Sequence, residues 1–330
     1  MQYRYRSLRP PRVATFVTML EKAPSQEEAA VASRALRALR WATHVATVDP
    51  GALASPPELP TLEELRAVSV AALRAELDRL LLGRHTQEGL DALLLAGVLE
   101  AWMPEVHALV GFGDGEWRHK DVWKHTKQVV WQSVPRLQVR WGALLHDIGK
   151  VKTRRIDPGG EVHFFGHSEV GAAMFRKRVG ARLGFEGELR ERVHFLILHH
   201  LRASQYDHGW TDSAVRRFAR EMDDGLTDLL DLSRADITTK RPERKKRGLR
   251  QISELAQRIE RLRAEDARVP PLPKGVGDAI MAHFSLPASR RIGELKQRLE
   301  AEIASGALEP QRESEHYLAW LQAHREELGL

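Results

Sequence analysis

Apolar residues recur at spacings of three and four along most of this chain, and that period constrains the fold more than any other feature, because it commits segment after segment to amphipathic helices. Pro24–Val45 (PSQEEAAVASRALRALRWATHV) and Thr61–Gly83 (TLEELRAVSVAALRAELDRLLLG) are the clearest cases. Thr61 with Glu64 three positions later reads as a capping box, and Gly83 as a helix stop. A third helix, QEGLDALLLAGVLEAWM, is expected to run up to Pro104, and a long charged helix follows Arg250. The proline-rich stretches Asp49–Pro60 and VPPLPKGVG read as connections, and Gly111–His119 as an irregular glycine-rich loop without a phosphate-cradling pattern. Only Val151–Gly166, with its DPGG turn, has the look of a short β-hairpin. The expected class is all-α with at most that one hairpin.

Composition excludes several kinds of answer. With 42% hydrophobic and 29% charged residues, the 330-residue chain is neither disordered nor collagen-like as a whole. Cysteine is absent, which removes disulfides, thiolate metal sites and cysteine nucleophiles. The longest apolar stretch, around Leu90–Met103, is too short to span a bilayer and is interrupted by Asp91 and Glu100, so no membrane partner is expected. The start carries Arg4, Arg6, Arg9 and Arg12 and lacks a small-residue cleavage site; it reads as a basic arm over residues 1–30 of a cytoplasmic protein. A second basic run, Lys240–Arg250, contains Lys240, Arg241, Lys245 and Lys246 against the single acid Glu243. Such blocks suit phosphate-rich partners, since each neutralised phosphate releases counterions.

Five segments put a histidine or aspartate beside an apolar helical run: His125 in DVWKHT, His146–Asp147 in WGALLHDIGK, His167 in FFGHSE, His199–His200 in VHFLILHH, and Asp236 in LLDLSRAD. A single such histidine is ordinarily a hydrogen-bonded core residue. Together they offer the imidazole and carboxylate donors that divalent transition metals and Mg²⁺ take. A carboxylate at the end of an apolar run is costly unless it is paired or metal-bound, and Arg140, Lys150 and Arg234 are the cations that could pair it without a metal.

The order His125, His146–Asp147, Asp236, with HDIGK at its centre, resembles the HD-domain metal-dependent phosphohydrolases. The surrounding text (DVWKHT, WGALLHDIGK, FFGHSEVGA, VHFLILHH, SAVRRFARE, ADITTK) is similar to the HD portion of bacterial tRNA nucleotidyltransferases, the CCA-adding enzymes and poly(A) polymerases. RALRALRWATHVATVDPGAL is similar to that family's neck helix, and the likeness extends from about Val31 to Leu330. It implies a basic arm over 1–30, a helical neck and body over 31–110, an HD domain over 111–250 and a helical tail over 251–330. Residues 1–30 contain neither glycine nor aspartate, so the polymerising head of that family is not expected in this chain, which would be a headless relative.

The resemblance further implies that His125, His146, Asp147 and Asp236 hold one divalent cation and that His167 and His200 add a second with Asp147 between them. The ions would be Mn²⁺, Ni²⁺, Co²⁺, Fe²⁺ or Mg²⁺. His200 is preferred to His199, since neighbouring helical residues point about 100° apart. Asp147, Lys150 and Arg154 are the expected catalytic residues, with Lys150 and Arg154 also touching phosphate, as would Lys240, Arg241, Lys245 and Lys246. His119 is a further pocket-lining candidate. The implied activity is hydrolysis of phosphoesters in nucleotides or tRNA-like RNA ends, as a 2′,3′-cyclic phosphodiesterase and/or phosphatase. The competing expectation is a non-catalytic RNA-binding subunit that serves a separately encoded nucleotidyltransferase head.

Overall fold

The structure is a computed structural model that describes residues 26–112, 121–267 and 270–330. Most of the basic arm expected over 1–30, and His119, lie outside the described residues. The rest is helical apart from one two-stranded antiparallel sheet, so the all-α expectation with a single hairpin holds. No described helix is long and apolar enough to cross a membrane. Two compact units are present: residues up to Trp210 with Arg217–Leu255, and Thr211–Arg216 with Ala256–Leu330. The second is built on Val276–Phe284, Arg290–Ala304 and Ser314–Ala323, whose inward residues include Ile280, Leu295, Leu299, Tyr317 and Leu321.

Helix Gln26–Thr47 forms where the period predicts it. The capping box is present: Thr61 Oγ1 accepts from the Glu64 amide, and Glu64 Oε2 accepts from the Thr61 amide. Two of the long helices expected from the sequence are interrupted. Thr61–Gly83 becomes Leu62–Arg66 and Val70–Leu81, because Ser69 adopts extended backbone and caps the second piece through the Ala72 amide. The apolar run before Pro104 becomes Thr86–Leu95 and Val98–Trp102, broken where Gly97 takes a φ of +76°. Gly83 stands just past the helix that ends at Leu81, as the sequence predicts, and a Cβ there would lie 2.4 Å from the Ala46 carbonyl oxygen. The hairpin is also shorter than expected. Lys150–Thr153 is helical, and the strands are only Arg155–Ile156 and Val162–His163.

The hub of the first unit is helix Leu137–Leu145, in which Val139 through Leu145 are all buried. Helices Val122–Gln132, Gly187–His199 and Leu226–Ala235 pack around it. Trp141 is fully buried and donates its indole N–H to Asp78 at 2.7 Å. Gly142 allows the close approach of Gly187–His199, for a Cβ there would meet Leu196 at 3.0 Å. Arg140 is buried as well. It donates to the Val134 carbonyl and the Thr86 hydroxyl rather than to either site aspartate, and burial lowers its pKa to about 10.

Away from the hub, Glu105 ties Pro104–His107 to Gly180–Arg182 by accepting both Arg182 terminal nitrogens at 2.8 Å. Burial works to raise the Glu105 pKa, but the Arg182 hydrogen bonds and charge outweigh it, and the carboxyl sits below its ordinary value of 4.5. A depressed carboxylate contributes stability that is complete above its unfolded-state pKa and is lost as pH falls through the folded one. Glu105→Gln is therefore expected to cost about 2 kcal/mol at neutral pH. Its unfolding free energy, measured by denaturant titration, should fall less steeply than that of wild type between about pH 5 and pH 3.

Candidate metal centre

The hub helix ends at Leu145, and the next two residues are His146 and Asp147, each only 1% exposed. Around them gather residues from four other helix ends. His125 comes from the first turns of Val122–Gln132, whose amide of Lys124 is capped by Asp121. His167 opens His167–Met174, His200 follows Gly187–His199, and Asp236 follows Leu226–Ala235. Three helix C-termini therefore deliver donors to one place, and the negative ends of their dipoles favour a cation there.

The donors form two trios. In the first, His125 Nε2 lies 3.0 Å from Asp236 Oδ1 and 3.3 Å from His146 Nε2, and His146 Nε2 lies 3.7 Å from the same Asp236 oxygen. In the second, His167 Nε2 lies 3.1 Å from His200 Nε2 and 3.5 Å from Asp147 Oδ1. Each trio keeps its ligand atoms within 4.8 Å of one another. Asp147 joins the two, for its Oδ2 faces His146 at 3.2 Å and His125 at 3.5 Å while its Oδ1 faces the second trio.

Hydrogen bonding to the outer nitrogens sets the tautomers. Nδ1 of His146, His167 and His200 lies 2.8 Å from the carbonyl oxygens of Ala143, Phe164 and Ile197, three residues earlier in each case. A carbonyl only accepts, so each Nδ1 must carry a proton, and a ring that holds no second proton turns an Nε2 lone pair inward. The facing lone pairs of His167 and His200 have no proton to share. Asp147 Oδ1, buried, has no hydrogen-bond partner among the described residues. An unsatisfied buried carboxylate oxygen beside two converging lone pairs is a costly arrangement that a cation relieves, so the donor set fits a divalent metal.

Titration behaviour agrees with that fit. Burial, reinforced by the charge of His146, pushes the His200 pKa down to about 4, and burial lowers His167 as well. Both rings are therefore neutral ligands at ordinary pH. Burial works to raise Asp147 and Asp236, but the imidazoles of His146 and His125, with Lys150 adding to them at Asp147, hold both far down and ionised. His146 is raised, its burial being outweighed by the neighbouring Asp147 charge.

Gly149 shapes the turn that carries Asp147. The sequence presents it as a break in the helical pattern, yet its backbone is ordinary right-handed helix. What requires glycine is proximity: a Cβ would stand 2.0 Å from the His167 carbonyl oxygen and 2.7 Å from the Gly171 amide nitrogen.

Other sequence candidates are distributed as follows. His199 points elsewhere, against Phe195 at 4.7 Å and into a separate cleft of about 350 Å³ with His194 and Asp224. Lys150 Nζ is 2.6 Å from Asp147 Oδ2, so of the three cations weighed against the aspartates it alone pairs with one; Arg234 pairs with Asp231. The Arg154 guanidinium lies over Phe112 at 5.7 Å, and its buried Nε has no hydrogen-bond partner among the described residues. Lys240, Arg241 and Lys246 are exposed, and Lys245 donates to Gln132 at 3.3 Å. Sequence reasoning misses Thr238, whose hydroxyl meets His125 Nδ1 at 2.9 Å, and Gln132, which donates to the Ala235 carbonyl. Thr238 lies two residues past Asp236, in the ADITTK text already singled out.

Residues 120–263 match the family model described as HD domain. This part of the chain is an HD domain. Among curated proteins, it is 34% identical over 263 residues to a CC-adding tRNA nucleotidyltransferase of Thermus thermophilus, an alignment covering 77% of this chain and 57% of that protein. It is 30% identical over 253 residues to an A-adding tRNA nucleotidyltransferase of Deinococcus radiodurans, covering 74% and 57%. A multifunctional CCA protein of Pseudomonas syringae pv. syringae is 34% identical over 126 residues, 36% of this chain and 31% of the other. The chain is thus homologous to tRNA nucleotidyltransferases across the HD region, and spans little more than half the length of the first two.

Gly149→Ala in the HD domain should cost roughly 1–3 kcal/mol through overpacking, read as a lower denaturant midpoint. It should also weaken binding of Mn²⁺, measured calorimetrically, because it forces Asp147 and His167 apart. Wild-type Mn²⁺ affinity in a folded variant would contradict this account of the glycine.

Proposed function

We propose that this chain is a metal-dependent phosphohydrolase that cleaves phosphoesters of nucleotides or RNA ends, as a 2′,3′-cyclic phosphodiesterase and/or a phosphatase. The observation that carries the reading is the Asp147 carboxylate, set between two donor trios with one oxygen toward each and one of those oxygens unpartnered. His125, His146 and Asp236 would hold one divalent cation, His167 and His200 a second, and Asp147 both. Divalent ions in such a site supply Lewis acidity, activating water at neutral pH and offsetting charge on the phosphoryl oxygens.

The chain's own residues do the remainder. The carbonyls of Ala143, Phe164 and Ile197 hold three imidazoles in the ligating tautomer. Lys150 is poised on Asp147 Oδ2, from which its ammonium can swing to a phosphate oxygen once that carboxylate oxygen is engaged elsewhere. The exposed Lys240, Arg241 and Lys246 begin four residues beyond Asp236, so a polyanion reaching the site would meet them. The tRNA named for the relatives makes RNA ends the leading substrate class.

The test joins metal analysis to turnover. Protein supplied with Mn²⁺, Ni²⁺, Co²⁺ or Mg²⁺ is expected to hydrolyse 2′,3′-cyclic nucleotides, and Asp147→Asn to lose at least roughly 100-fold in rate, since even outer-sphere changes at metal sites cost 10- to 100-fold. Equal activity in the variant, or no metal bound by wild type, would leave an RNA-binding subunit as the better description. RNA affinity at two salt concentrations reports on the basic segment: Lys240→Ala with Arg241→Ala should weaken binding and flatten its salt dependence.

A further inference from the structure

The hairpin beside the centre is followed by two phenylalanines of unlike surroundings, Phe164 and Phe165. Arg155 pairs directly with His163, and Ile156 with Val162. Residues opposite one another in an antiparallel pair share a face, as do residues two apart along an extended strand. Arg155 and His163 therefore share one side and Ile156 and Val162 the other; the strand ends at His163, with Phe165 in the turn that follows.

Phe164, next after the strand, is bound into the site. The Phe164 ring lies under the Lys150 ammonium at 5.6 Å and next to Phe112 at 6.2 Å, and its carbonyl fixes His167. The next ring is open to solvent. Phe165 is 77% exposed, an unusual situation for a phenylalanine, and its ring stacks on His163 with centroids 5.1 Å apart and planes 12° from parallel.

The turn holds that stack in place. Asp157 accepts from the Glu161 amide through one oxygen and faces His163 Nε2 at 3.2 Å through the other. The carboxylate thus orients the imidazole flat beneath Phe165, which accounts for the grouping of Asp157, Glu161 and His163 without an ion. Gly166, with a φ of +74°, turns the chain from the stack into the helix that begins with His167. One residue, Gly166, separates the exposed ring from the imidazole of His167.

We infer that Phe165, backed by His163, is the platform on which the nucleobase of the substrate stacks while its phosphate lies at the His/Asp centre. The charge of the neighbouring chain fits a nucleotide rather than an apolar peptide: Lys150, Lys152, Arg154 and Arg155 fall within six residues that include no acid. A flat exposed ring accepts any base and is sequence-tolerant. Placing the phosphate at the centre rests on the phosphohydrolase reading; the platform itself does not.

Calorimetric titration of the Mn²⁺-loaded full chain with adenosine 3′-monophosphate and, separately, with inorganic phosphate tests the assignment. Wild type should bind the nucleotide more tightly than phosphate. Phe165→Ala and Phe165→Leu should each lose about 5- to 100-fold in nucleotide affinity, the range that one base–aromatic stack accounts for, with phosphate affinity unchanged; Phe165→Trp should retain it. The side chain is exposed, so these variants are expected to fold as wild type does. Equal affinity of wild type for nucleotide and phosphate, or wild-type nucleotide affinity in Phe165→Ala or Phe165→Leu, would overturn the platform. Turnover of 2′,3′-cyclic AMP is measured alongside. A base preference that depends on Phe165 without any turnover would refute the hydrolase reading and leave the platform standing.

Discussion

A carboxylate buried to 1% exposure, ionised and with one oxygen unpartnered, is the constraint around which the first unit is organised. Leaving such a group in an apolar interior costs several kcal/mol. The fold meets that cost with cationic or cation-binding neighbours on every side: Lys150 on one oxygen, His146 and His125 beside it, and His167 across the other. Four helix ends must converge to bring those neighbours in, and the close packing around Leu137–Leu145 is what makes them converge.

The electrostatic pattern follows from the same arrangement. His200 and His167 are held neutral by burial, whereas His146 is drawn toward protonation by the aspartate beside it. One centre thus contains imidazoles displaced in opposite directions, as expected where burial and a specific charge partner compete over a few ångströms. The exposed Lys240, Arg241 and Lys246 lie on the chain just past the last aspartate of the centre.

Much of this was legible in the sequence, for physical reasons that differ from residue to residue. The helical period and the Thr61–Glu64 box depend on neighbours within one turn, and both formed as read. His125, His146, Asp147, His167, His200 and Asp236 stood out beside apolar helical runs, the resemblance made them one set, and the structure gathers them into two trios. Breaks at Ser69 and Gly97 were missed because the period continues through them, while capping and a positive φ decide the backbone. Gly83 and Gly149 do stand just past helix ends, as read, yet neither takes a positive φ. What requires glycine at each is a distant backbone a few ångströms away, which local pattern does not contain. Phe165 was unremarkable for a related reason: a phenylalanine in FFGH reads as core until its exposure is known.

The Nδ1 hydrogen bonds of His146, His167 and His200 all run to the carbonyl three positions upstream. Each imidazole is thus aimed by its own four-residue stretch of polypeptide, with no help from a remote side chain. Loops, surface helices and whole flanking segments can then diverge without disturbing how those rings are pointed. A lineage that keeps the packed hub can change much of what flanks it and still inherit those three orientations.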